Sequence, residues 1–162
     1  MSTSTNGPRG RMTLQIRSAE GAPVAERHAS NIVLRRGAEI VANLFAGVGE
    51  AGPIDRLQVG FGTEAADVGA TALTPPEGEV DPDALDSLVE ADDVVIETDS
   101  SARLVRVSIA ATFKPTIDLD DVSEAGLLAG QQLYNQVVFE PVDMRVGQDI
   151  TLFWEVDFPF GH

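Results

Sequence analysis

Few residues in this chain could carry chemistry. A hydrolytic triad needs a base between a nucleophile and an orienting acid. His28 is the one internal histidine, and it lies in the polar stretch Glu26-Arg27-His28-Ala29-Ser30 with no serine elbow nearby, so it reads as a surface residue. The chain has no cysteine and only one other histidine, His162. Disulfides, thiolate metal sites, a cysteine nucleophile and a multi-histidine metal centre are therefore excluded. Gly60-Phe61-Gly62 resembles a fragment of a dinucleotide loop, but a third glycine is missing. The acids that follow, Glu64 and Asp67, would repel a phosphate, so a strand end is the better reading. Asp118, Asp120 and Asp121, with Glu124 beyond, are the residue types calcium prefers. They lack the glycine of the helix-loop-helix calcium site and read as a solvated turn between strands. Paired carboxylates for sugar hydrolysis are arguable among 26 acids. One Trp and one Tyr leave little aromatic surface to stack a sugar. No catalytic, cofactor or metal site is assigned.

The 162 residues predict one domain, large enough to bury a core without staples. No apolar stretch approaches the roughly 20 residues of a bilayer span, and the start lacks the apolar centre of a signal peptide. A soluble, cytoplasmic protein is expected. The net charge of −15 would repel nucleic acid and anionic lipid, so neither is an expected partner. Charge is also unevenly placed. Residues 1–36 hold six of the eleven basic residues (Arg9, Arg11, Arg17, Arg27, Arg35 and Arg36), whereas residues 64–99 hold twelve acids and no base. Either the basic beginning lies on the acidic segment of a neighbouring copy, or both are solvated surface.

Residues 1–11 read as a flexible basic tail, and 12–162 as a single domain. Met12, Leu14 and Ile16 alternate with polar residues, the period of a half-buried strand. A second short strand is expected at Asn31–Leu34. Ile40, Val41, Leu44, Phe45 and Val48 form one helical stripe that ends near Gly47, predicting a helix over about 36–47. Leu57, Val59 and Phe61 alternate again. A long acidic excursion over about 64–99, broken by prolines, carries one short helix near Pro82–Val89. Alternation returns at Val105–Phe113, Leu133–Phe139 and Ile150–Phe158. Strands so spaced predict a mainly β protein, an antiparallel β-sandwich with one packed helix. Trp154 and Phe158 fall on the apolar face of the last strand. Phe153 faces the opposite way among Thr151, Glu155 and Asp157, so a second layer or a partner should cover it. With Phe160 and the early arginines Arg9, Arg11 and Arg17, it makes the set of assembly-interface candidates.

The order of segments carries a resemblance over residues 30–160. Asn31-Ile32-Val33-Leu34, the glycine-containing helix Gly37–Gly47, and a strand ending Val59-Gly60-Phe61-Gly62-Thr63 come first. The Ala/Asp/Thr loop Glu64–Leu73, the strand Val107–Phe113 and the Ser123-Glu124-Ala125-Gly126-Leu127 turn follow, then Val138–Val142 and Ile150–Phe158. Together they resemble a small structural domain of tailed-bacteriophage tail, fibre and baseplate proteins, and of phage-tail-like contractile injection particles. The resemblance implies a non-enzymatic cap, plug, adaptor, baseplate or fibre-anchoring part, assembled in the cytoplasm. Copies of itself, as a trimer or hexamer, and other particle proteins are the partners it implies. Two other readings remain beside it: a stand-alone binding sandwich, for example for carbohydrate, and a capsid decoration protein.

Overall fold

Alternation along the first strand is what seats the core. In the computed structural model, which describes residues 9–161, Met12, Leu14 and Ile16 of β1 (Arg9–Arg17) are all buried on one face. The order continues β2 (Pro23–Val33), α1 (Arg35–Ala46), β3 (Arg56–Gly60), β4 (Asp86–Leu88), β5 (Val94–Asp99) and β6 (Leu104–Phe113). It ends with β7 (Leu119–Ala129), β8 (Gln132–Leu133), β9 (Asn135–Met144) and β10 (Asp149–Pro159). The protein is mainly β, antiparallel, with one α-helix, as expected. Its strands form one continuous path, β4-β3-β7-β9-β2-β1-β10-β6-β5, with β8 paired to β7 off that path. The sheet curls into a half-barrel.

Two leaves can be recognised along the path. One is β5-β6-β10-β1-β2 and the other is β9-β7-β3-β4. Among the described residues the ladder that joins them has two residue pairs, Ile32 with Gln136 and Val33 with Asn135. Beyond that ladder β2 and β9 diverge, and Arg27 spans the gap. Its Nε donates to the Glu140 carbonyl at 3.0 Å and its guanidinium to that of Pro141 at 3.2 Å. At the far end of the path, Ser87 Oγ on β4 donates to the Thr112 carbonyl on β6 at 2.7 Å. The inner faces of both leaves share one core that includes Leu14, Leu152, Trp154 and Phe113 from one leaf and Leu57, Val59, Leu127 and Val137 from the other.

Several expectations are corrected. Arg9–Arg11, placed in the tail by sequence, open β1; residues 1–8 lie outside the described residues. The solvated turn expected at Asp118–Glu124 and the turn expected at Ser123–Leu127 are, from Leu119 onward, β7, an eleven-residue strand with neighbours on both sides. A bulge interrupts its pairing with β9, and there Asp121 takes φ 57°, the left-handed region that asparagine and aspartate tolerate best. The acidic excursion is not one loop. It starts as a strap over the outer face of β7, where Leu73 packs with Leu34, Leu128 and Leu133. It then forms a 3₁₀ turn at Pro82–Leu85, strand β4 and the edge strand β5.

Candidate interaction surface

Glu124 lies at the centre of β7 and is only 1% exposed. Its Oε1 accepts the backbone N–H of Gly62 at 2.7 Å and of Thr74 at 2.9 Å, and its Oε2 accepts the Gln136 side-chain amide at 2.6 Å. Neighbouring Ser123 donates its hydroxyl to the Gly62 carbonyl at 2.5 Å. The carboxylate therefore fastens both ends of the strap to the sheet. A Cβ on Gly62 would sit 2.6 Å from the Glu124 carboxylate, and one on Gly60 would sit 2.9 Å from it. The glycines that resemble an anion loop do present a backbone N–H to an anion, and that anion is the protein's own. The adjoining cleft of about 460 Å³ is lined by Thr63, Glu64, Asp67 and Thr74 among others.

A second feature is apolar and open. Helix α1 seats only Gly37 and Ile40 fully against the body, with Ile40 beside Tyr134 and Ala129. The rest of the predicted stripe is uncovered: Val41, Leu44 and Val48 are about half exposed and Phe45 is 95% exposed. Between the helix and the sheet runs a groove of about 180 Å³, walled by Val41 and Leu44 on α1, Ile54 after it, Val107 on β6, and Val156 and Phe158 on β10. Trp154 is fully buried, as expected; Phe158 is at the groove rather than in the core.

The five candidates from sequence do not converge there. The β1 arginines and Phe153 share the outer face of the first leaf, and each arginine stands in register with an acid of β10: Arg9 with Asp157, Arg11 with Glu155, Arg17 with Asp149. Arg11 and Glu155 form an ion pair. Arg106 adds a bidentate contact to Asp157, at 2.7 and 3.1 Å. That hydrogen bond holds the Asp157 carboxyl below the usual aspartate range and raises the Arg106 guanidinium above its own. Of the three early arginines, Arg11 meets a carboxylate within its own sheet, while the Arg17 guanidinium donates to the Gly21 carbonyl at 3.2 Å. Phe153, opposite Thr13 and Ala110, is 39% exposed, with no second layer over it among the described residues. Phe160 lies past the end of β10, its N–H donated to the Arg103 carbonyl at 2.9 Å.

His28 is exposed and its ring contacts Thr13 and Glu26. The acids of 118–124 are dispersed. Asp118 accepts the Val146 N–H, Asp120 pairs with Arg145, and Glu124 is buried under the strap. Among the described residues no three His, Cys, Asp or Glu side chains are placed to share a metal ion, and no helix is long and apolar enough to cross a membrane. Sequence reasoning missed the Glu124 clamp. Its signal was a lone acid inside the apolar run Val122–Ala129, a pattern that demands buried partners. Comparison with protein-family models, with curated proteins and with solved structures finds no match.

Proposed function

We propose that the chain is a non-enzymatic structural component of a phage tail or phage-tail-like contractile injection particle, serving as a cap, plug, adaptor, baseplate or fibre-anchoring part. The particle comes from the resemblance of the segment order. The observation that supports an assembly role is the uncovered apolar face of α1, where Val41, Leu44, Phe45 and Val48 stand beside an unfilled apolar groove. Contiguous apolar surface of this kind marks interaction sites. Rigidity suits a particle part, and the Glu124 clamp supplies it to the longest non-strand segment. The half-barrel is read here as an opened sandwich whose free edges serve neighbouring subunits, with a trimer or hexamer formed in the cytoplasm. A carbohydrate platform is less favoured, because Trp154 and Tyr134 are both buried.

The double substitution Leu44→Ser with Phe45→Ser tests the assembly surface. Phe45 is almost fully exposed and Leu44 about half exposed, so the loss of stability is expected to stay at about 1 kcal/mol. Sizing with light scattering is expected to give a trimeric or hexameric mass for the parent chain and a smaller species for the variant. Equal masses for the two would remove α1 from the interface.

A further inference from the structure

Two incomplete features meet on the open side of the half-barrel. β5 ends the sheet path and pairs only with β6 among the described residues, so its other edge offers free backbone N–H and C=O groups. Across β5 from that edge, on the inner face at β6 and β10, lies the apolar groove. Val107 walls that groove, and its register partner on β5 is Ile96. Two residues earlier on the same face, Val94 packs against the core, yet Ile96 is 66% exposed. The inner face of the sheet therefore runs out uncovered at Ile96, with α1 across the gap.

We propose that this edge accepts an extended segment of a partner protein as an additional strand, its alternate apolar side chains covering Ile96 where the inner face of the sheet runs out. Strand addition of this type takes affinity from main-chain hydrogen bonds and specificity from pockets for every second side chain. Charge selects the occupant. The edge and its approach carry Glu90, Asp92, Asp93, Glu97 and Asp99 with no Lys or Arg, so the accepted segment alternates apolar residues with Lys or Arg. A second copy's β5 is disfavoured, because pairing would gather the same acids on both strands. Residues 1–8 of this chain offer only Met1 and Pro8 as apolar side chains, too few for an alternating strand. The inference rests on the assembly reading and names the chemistry of the partner.

The test uses the full chain and a synthetic decapeptide alternating Val with Lys, against a scrambled peptide of the same composition and a Val/Glu version. Calorimetry and amide hydrogen exchange are the readouts. The alternating basic peptide is expected to bind at least tenfold more tightly than either control and to protect β5 amides. Ile96→Asp, at an exposed position, is expected to cut that affinity at least tenfold with an unchanged melting curve. Equal binding of the three peptides, protection away from β5, or insensitivity to Ile96→Asp would overturn the proposal, as would self-association that protects β5 while the peptide is ignored. A chain that rejects the peptide yet still co-sediments with particles would overturn strand acceptance alone and leave the particle role standing.

Discussion

Glu124→Ala is expected to lower the stability of the protein by about 3–5 kcal/mol. The substitution leaves the N–H groups of Gly62 and Thr74 and the amide of Gln136 without their acceptor. Each unsatisfied buried donor costs about 1–3 kcal/mol, part of which water entering the adjoining cleft recovers. Exchange of the amides in 61–74 should accelerate before global unfolding, since the carboxylate holds both ends of that strap. Glu124→Gln keeps one carbonyl oxygen for the two N–H groups but turns an amide toward Gln136, donor against donor. It should fall between the parent and the alanine variant. Adding Gln136→Glu restores a donor–acceptor pair, so the double variant should recover part of the loss. Urea unfolding measures all four proteins. A Glu124→Ala loss below about 1 kcal/mol would contradict the clamp.

Gly37→Ala is expected to destabilise by about 2 kcal/mol, against the direction that helix propensity alone dictates. Alanine in a helix interior is favoured over glycine by about 1 kcal/mol. Here a Cβ would stand 2.1 Å from the Tyr134 carbonyl oxygen and 2.9 Å from its ring. That same carbonyl accepts the Leu34 N–H at 3.0 Å, anchoring the start of α1. Relieving the overlap must lift the helix from the β8–β9 corner, and overpacking of this kind costs about 1–3 kcal/mol or more. An increase in melting temperature would show that the helix is not seated through Gly37.

The physical reasons for what could be read from sequence differ from element to element. β1, β6 and β10 each have one face on the core and one on solvent, so Met12-Leu14-Ile16 and Ile150-Leu152-Trp154-Val156 show a clean period of two. β7 has neither condition. Its residues 123–129 are buried on both faces, by the core and by the strap, and its bulge shifts the pairing with β9, so no alternation survives. β2 was half hidden for another reason: its inward positions are Ala25, Arg27, Ala29 and Asn31, small or polar residues that carry little apolar signal. The helix and its αL stop at Gly47 (φ 66°) were legible from Ile40–Gly47. That most of its stripe would stay uncovered was not, because periodicity reports an apolar face and is silent on what meets it. The candidate surface was legible only in pieces: Phe153 falls on the outer face as expected, while Ile96 became informative once its strand was seen to be an edge.

As proposed, this chain is part of a particle. The direct measurement is to pellet high-molecular-mass particles from cells that express it at native level, image them, and quantify the chain in pellet and supernatant by mass spectrometry. A particle component is expected to sediment with tail-like tubes at a fixed low copy number. A chain that stays in the supernatant as a monomer while complete particles assemble without it would overturn the particle role.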